Sequence, residues 1–244
     1  MRYIIFLVVL ISTLMAEKLT LGAGAYMQTQ PYKDVGSIVT PSPVIFFDNS
    51  TFYVKWTRVG AYFLGSKGED YGWGFSLTAE PRVNQYRATD SIYLIGMQDR
   101  ESSIEGGTAF SANFYDAYIE VLALTDVLSR HNTWIVKSEV GYQFEHNNIT
   151  FYPSLILTYN SSNFMDYYYG VSPSEATASR PAYSIDNSIQ YGAQTYIKYP
   201  LVGNLSAFMN IKAEKLPIQA IKSPIVEDDY IYSGLVSLIY TFKY

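Results

Sequence analysis

The sequence ends at residues 236–244 with VSLIYTFKY, a stretch in which apolar and polar side chains alternate. Successive side chains of a β-strand point to opposite sides, so a period of two predicts a strand with one apolar face. The apolar row of this strand contains Val236, Leu238, Tyr240, Phe242 and Tyr244, and the opposite row contains Ser237, Thr241 and Lys243.

The same period recurs through the chain in segments of about ten residues. In residues 133–145, TWIVKSEVGYQFE, Trp134, Val136 and Val140 lie opposite Lys137 and Glu139. No run of 18 apolar residues follows the N-terminal segment, so we expect no helix to cross a membrane. Segments of this length match the roughly 9–11 residues of a tilted transmembrane strand.

Two architectures share this pattern. A soluble sandwich buries its apolar faces between two sheets, whereas a transmembrane barrel turns them outward to lipid. Charged residues fall on the polar faces, and aromatic residues occur near the predicted strand ends, which favours the barrel. These aromatic residues are Trp56, Tyr71, Trp134, Phe144, Tyr159 and Tyr199. We therefore predict an all-β protein, a closed antiparallel transmembrane β-barrel of 12 strands, with ten strands as the alternative.

The lengths of the connections predict the orientation of this barrel. Short turns at 84–89, 115–116, 146–148 and 200–203 are expected in the periplasm, and the long connections 29–41, 162–186 and 216–229 outside the cell. The predicted strands are 18–28, 42–48, 50–65, 70–83, 90–97, 107–114, 117–127, 132–145, 149–161, 187–199, 204–215 and 230–244. The aromatic end of the last strand resembles the signal that the barrel-assembly machinery reads.

The N-terminus has the layout of a secretory signal peptide. Met1 and Arg2 precede an apolar run from Tyr3 to Ile11, and Ala16 suits a cleavage site. We predict a signal peptide over 1–16 and a barrel domain over 17–244, placed in the outer membrane of a Gram-negative bacterium. The partners expected from this placement are outer-membrane lipid and the barrel-assembly machinery.

Composition excludes several function classes. The 244 residues include no cysteine, which excludes a disulfide framework, a cysteine-ligated metal and a thiol nucleophile. The formal net charge is −5 with no basic block, so we expect no nucleic-acid partner.

The side chains expected to face the lumen are Lys137, Glu139, Gln143, Lys198 and Lys212.

No catalytic, cofactor-binding or metal-binding constellation is predicted. Asp126, Ser129 and His131 lie close in sequence, but sequence cannot show the geometry that a triad needs, and a polar turn is the simpler interpretation. The run Tyr167–Tyr169 fits either a stacking platform for a ligand or anchors at the membrane interface.

Several blocks carry a resemblance to a known family. DSIYLIGMQDRESSIEG at 90–106 contains Gly96, Met97, Arg100 and Glu105, and DYYYGVSPSEA at 166–176 is the most specific block. SPIV at 223–226 precedes the last strand. In this order the chain resembles the MipA/OmpV family of outer-membrane proteins, the MltA-interacting proteins. The motif residues are Gly96, Met97, Arg100, Glu105, Tyr168, Tyr169, Gly170, Val171, Glu175, Ser223 and Pro224.

The resemblance implies an interaction protein and no enzyme. The best-known member is described as a scaffold that brings a lytic murein transglycosylase together with a penicillin-binding protein, and these two become the expected partners. Other members are linked to uptake of antibiotics, which implies a small channel for solutes as the alternative. The family has no established catalytic residues, and the resemblance therefore implies none here.

Overall fold

The computed structural model describes residues 18–68 and 70–243, so the predicted signal peptide and Tyr244 lie outside the described residues. Within these ranges the chain forms two short helices, α1 (Ser162–Tyr169) and α2 (Ile218–Ile221), and thirteen strands. The strands are β1 (Lys18–Gln28), β2 (Ile38–Asp48), β3 (Phe52–Lys55), β4 (Arg58–Ser66), β5 (Tyr71–Arg82), β6 (Ser103–Phe114), β7 (Ala117–Asp126), β8 (Trp134–Tyr142), β9 (Phe144–His146), β10 (Ile149–Asn160), β11 (Ser188–Val202), β12 (Leu205–Lys215) and β13 (Tyr230–Lys243).

All strands form one closed antiparallel sheet. Consecutive strands pair around the sheet, and β13 returns to pair with β1 from Lys18 opposite Lys243 to Gln28 opposite Ser233. β8 and β9 both pair with β10 and flank Gln143, so together they occupy one position in the wall. The wall therefore has twelve strand positions, and the predicted closed 12-stranded barrel is confirmed.

The barrel has its apolar residues outside and its polar residues inside, which is the reverse of a soluble protein. On β10, Leu155 and Leu157 are exposed, whereas Ser154 and Thr158 on either side of them are buried. On β13, the outward row contains the exposed Val236, Leu238, Tyr240 and Phe242 of the predicted assembly signal. An apolar outer surface with a polar interior is the arrangement that lipid requires of a spanning barrel.

One predicted strand is wrong. Residues 90–97 form turns within the connection 83–102, where the Leu94 N–H donates to the Ser91 carbonyl and the Met97 N–H donates to the Leu94 carbonyl. Ser91, Leu94 and Met97 are buried at a spacing of three, which a pleated strand cannot produce. The turn predicted at 84–89 therefore lies at the same end of the barrel as the long connections.

A second error compensates for the first in the strand count. The predicted strand 50–65 is two strands, β3 and β4, joined by a tight turn at Trp56 and Thr57. Trp56 adopts φ +58°, a left-handed conformation that is unusual for a bulky residue. The count of twelve is correct because one strand is lost at 90–97 and one is gained here.

The two ends of the barrel differ. Among the described residues, one end has only the short connections 49–51, 67–70, 115–116, 147–148 and 203–204. The other end has the long connections 29–37, 83–102, 161–187 and 216–229 as well as 127–133. Within the described ranges, no helix is long and apolar enough to span a membrane.

Candidate functional site: the plug and the lumen beneath it

The long connections fold inward and fill one end of the barrel. Their buried side chains pack against inward-facing wall residues such as Ala109, Leu122, Leu124, Ile135 and Ile231. We call this apolar cluster the plug. Its connection residues are Tyr32, Tyr86, Leu94, Met97, Phe164, Met165, Tyr168, Tyr169, Val171, Ile185, Leu216, Ala220, Ile225 and Val226.

A buried ion pair ties two of these connections together. The Arg100 guanidinium donates from Nη2 to Glu175 Oε1 at 2.9 Å and from Nη1 to the Gln98 carbonyl at 3.0 Å. Glu175 also accepts the N–H groups of Gln98 at 2.8 Å and Ser172 at 3.0 Å. The side chains of Arg100 and Glu175 are only 8% and 3% exposed. Hydrogen bonds from the protein therefore replace the water that would otherwise solvate the two charges.

These contacts act on the acidity of Glu175. Burial by itself would raise its pKa, but the hydrogen bonds from Gln98 and Ser172 and the charge of Arg100 favour the ionised form. The net result is a pKa of Glu175 below its ordinary value. The carboxylate is therefore ionised in the folded plug at neutral pH.

Arg180 is a second clamp within the plug. Its Nη1 donates to the carbonyls of Tyr93 at 2.7 Å and Ile95 at 3.1 Å, and its Nη2 donates to the Glu175 carbonyl at 2.8 Å. One buried guanidinium thus joins the connection 83–102 to the connection 161–187. Sequence reasoning missed Arg180, because nothing in its local sequence distinguishes it from a solvated loop arginine.

The family-motif residues converge on the plug although they are far apart in sequence. Gly96, with φ +86°, and Met97 lie in the turns next to Arg100, and Gly170 and Val171 follow α1. Ser223 donates its hydroxyl to the Tyr169 carbonyl at 2.6 Å and precedes Pro224. Glu105 lies on the wall below, where it forms a buried ion pair with Arg82 that sequence reasoning also missed.

The tyrosine run is part of the plug and is not free for a ligand. Tyr168 and Tyr169 on α1 are fully buried, and Tyr168 packs against Phe164 with ring centroids 4.9 Å apart. Tyr167 is partly buried and lies against the Arg100 guanidinium, 5.2 Å from ring centroid to Cζ. These rings hold the connections together, which differs from both functions that the sequence left open for them.

The Asp126 side chain holds the turn at 126–131 by accepting hydrogen bonds from its backbone. Asp126 accepts the N–H groups of Leu128, His131 and Asn132, as well as the Ser103 hydroxyl. The His131 ring is buried beside Phe164, and burial lowers its pKa despite the nearby carboxylates of Asp126 and Glu105. This network is that of a capped polar turn. In the part of the chain that the structure describes, no group of three or more His, Asp or Glu side chains converges as a metal site requires.

Below the plug, the barrel contains a half-open cavity of about 1310 Å³. Lys137, Glu139, Lys198 and Lys212 line it, and the half-buried Gln143 lies between β8 and β9 with its N–H donated to the Asp116 carbonyl. Most charges in the cavity are paired, three of the pairs across the lumen between strands that are not neighbours in the sheet and one along β12. The pairs are Arg58 and Lys55 with Glu120, Lys137 with Glu80 at 3.6 Å, and Lys212 with Glu214 at 2.7 Å.

A closed barrel with an apolar outer surface, a polar lumen and an end filled by its own connections defines an outer-membrane β-barrel protein. A family model described as MltA-interacting protein MipA matches residues 21–242. The chain therefore belongs to the MltA-interacting protein family, as the sequence blocks indicated, and is an outer-membrane protein.

Individual relatives match over most of the chain. The MltA-interacting protein of Escherichia coli K12 is 27% identical over 230 residues, which cover 93% of this chain and 90% of that protein. Outer membrane protein OmpV of Vibrio cholerae is 22% identical over 204 residues, covering 84% and 79% respectively. Among solved structures, OmpT of Vibrio cholerae covers 92% of this chain and 98% of its own at 7% identity, with a TM-score of 0.38.

Proposed function

We propose that this chain is a non-enzymatic interaction protein of the outer membrane, which binds a lytic transglycosylase and, through that contact, a penicillin-binding protein. The observation that carries the proposal is the similarity to an MltA-interacting protein over 93% of the chain. The absence of an enzymatic role is supported by the polar turn at Asp126 and His131, where the carboxylate is already occupied by backbone donors.

The contact surface is the end of the barrel opposite the plug. With the long connections outside the cell, the turns 49–51, 67–70, 115–116, 147–148 and 203–204 face the periplasm, where murein lies. Asp116, Asn147 and Asn148 are exposed on these turns. Short turns on a rigid wall present a fixed surface, so docking a partner there costs this chain little conformational entropy.

Site-specific cross-linking in cells tests this proposal. A photoreactive residue replaces Asp116 or Asn147 on the short turns, and Ser179, which is exposed in the connection 161–187, carries it in the control. We expect adducts with a lytic transglycosylase from the two turns and none from position 179. If the turns capture no murein enzyme, or if position 179 captures it equally well, the proposal is wrong.

The channel alternative is disfavoured by the plug. A straight pore would have to pass between Tyr168, Tyr169 and Leu94, all of which are fully buried in the apolar cluster. We therefore expect fully inserted protein to be electrically silent in planar bilayers. Open-channel currents that change when Lys137, Glu139 or Lys198 is neutralised would establish the channel instead.

A further inference from the structure

The wall of the barrel is incomplete between β2 and β5. The short hairpin of β3 and β4 pairs with β2 only from Phe46 to Asp48, and with β5 only up to Ala79. Among the described strands, none pairs with the remaining edge of β2 over residues 38–44. At about 3.3 Å per residue, this leaves roughly 23 Å of unpaired edge beside the plug. We call this opening the window.

Prolines occupy both sides of the window. The Ile45 carbonyl accepts the Trp56 N–H and therefore points toward the hairpin, so the backbone of Pro43 and Pro41, two and four residues earlier, points to the same side. On the other side, the Ile104 carbonyl accepts the Val127 N–H and points away from β5.

Pro81, the partner of Ile104 in the ladder, is consequently in a non-hydrogen-bonded pair and also faces the window. Proline lacks the N–H that an additional strand would need, so these three residues leave the two edges unable to pair fully. The prolines of both edges therefore account for the opening, because they would prevent a further strand from pairing there.

The window opens from the membrane into the cavity. Pro41, Pro43 and Pro81 are exposed on the outside of the barrel, yet all three also line the cavity. Val39 on the same edge is 68% exposed. Trp56 forms the lower rim, where its indole N–H donates to the Ser42 hydroxyl at 2.9 Å and its ring lies edge-on to Tyr26 at 5.7 Å.

An apolar patch lies on the inner wall next to the window. Such a patch is unexpected in a lumen that is otherwise polar. It is built from buried residues of β2, β12 and β13 with partly buried aromatic rings around them. The patch consists of Val44, Phe208, Leu235 and Ile239, with Tyr26, Phe46, Trp56 and Tyr196 packed against it.

A cation without a counter-ion lies beside this patch. Lys198 lines the cavity and is the ladder partner of Phe208. The other basic side chains of the lining each reach a carboxylate, but none of the described residues forms an ion pair with Lys198. An apolar surface beside an unpaired ammonium group fits a ligand with an alkyl chain and an anionic head group.

We propose that the window and the patch form a binding site for a single-chain anionic amphiphile, a long-chain carboxylate, that enters sideways from the membrane. Its carboxylate pairs with Lys198, and its alkyl chain lies on Phe208 and Trp56 and leaves through the window. Because the plug covers the end of the barrel above, this route connects the cavity to lipid without passing the outer mouth.

Photolabelling in a bilayer tests the site. The protein is placed in nanodiscs of dioleoylphosphatidylcholine with hexadecanoate that carries a diazirine at mid-chain, and adducts are mapped by mass spectrometry. We expect adducts on Phe208, Trp56 and Tyr26 in addition to the outward-facing Val236. Excess hexadecanoate should remove the lumen adducts, and hexadecanol should compete at least fivefold less well. Adducts confined to outward-facing residues would overturn the proposal.

Variants separate the head-group contact from the route of entry. Lys198→Gln should reduce the lumen adducts at least fivefold, whereas Lys222→Gln, in an exposed connection, should leave them unchanged. Thr40→Trp places a bulky ring at the window and should reduce the same adducts, with folding checked by heat-modifiable migration. Equal labelling in Lys198→Gln would refute the carboxylate contact, and equal labelling in Thr40→Trp would refute entry through the window.

Discussion

Replacing Glu175 with Gln should loosen the plug while the wall stays intact. The variant removes the charge that faces Arg100 and places an amide NH₂ group among donors, because the carboxylate accepts from Arg100, Gln98 and Ser172. Breaking a buried pair in this way leaves an uncompensated guanidinium and costs about 3–5 kcal/mol. Both side chains are buried, so neither water nor salt reduces this cost.

The chain provides a matched control at the same end of the barrel. Glu101 forms an ion pair with Arg130, but the two side chains are 54% and 45% exposed. Pairs of this kind are worth about 0–1 kcal/mol, since water and salt screen both charges. Glu101→Gln therefore removes the same chemical group from an arginine partner at little expected cost.

Hydrogen exchange measured by mass spectrometry distinguishes the two variants. A loss of about 3 kcal/mol in local opening free energy accelerates exchange roughly a hundredfold, because each 1.4 kcal/mol is a factor of ten. We expect this acceleration in peptides from 91–102 and 162–180 of Glu175→Gln, and less than about fivefold in Glu101→Gln. Peptides from β11–β13 should remain unchanged. Equal exchange in the two variants would refute the role assigned to the buried pair.

Three further perturbations have defined outcomes. The pKa of Glu175 is lowered in the fold, so its contribution to stability is complete above the ordinary value of 4.5 and is lost as the pH falls through the lowered value. Protection of the plug amides, taken relative to their intrinsic exchange rates at each pH, should therefore fall on acidification below about pH 4.5. A wild type that keeps its protection, or a Glu175→Gln variant that shows the same fall, would contradict the assignment. Gly96→Ala places a side chain at φ +86° and should cost about 1–2 kcal/mol in urea denaturation, whereas Gly36→Ala, in open space, should cost under about 0.5 kcal/mol; similar losses would show that conformation is not the cause. Phe242→Ser should lower the heat-modifiable, membrane-inserted fraction several-fold, and Val202→Ser, equally outward-facing, should not; unchanged insertion of the Phe242 variant would remove this residue from the assembly signal.

The wall could be predicted from sequence because each wall residue has one of two environments. Leu155 meets lipid and Ser154 meets the lumen, so hydrophobicity alternates with the pleat and the strand can be recognised locally. The hairpin at Trp56 escaped prediction, because its turn has neither the glycine nor the asparagine that marks a left-handed position.

The plug could not be predicted because it has no such period. Arg100 and Glu175 were both recognised as motif residues, yet 75 positions separate them and nothing local indicates that they form a pair. The false strand at 90–97 has the same origin. Its buried residues pack against other connections, and a short apolar run cannot be told from a strand by its local sequence.

The pairing of β1 with β13 has a consequence for the order in which the barrel folds. Its paired residues, such as Lys18 and Lys243, are among the most distant in sequence. Closing so long a loop is slow, so we expect this seam between the two strands to form last. The segments that fill the cylinder, from Tyr32 to Val226, all lie between those two strands. Because Tyr32 and Val226 pair with each other and belong to the connections that adjoin this seam, we expect the plug to finish packing only after β1 and β13 have met.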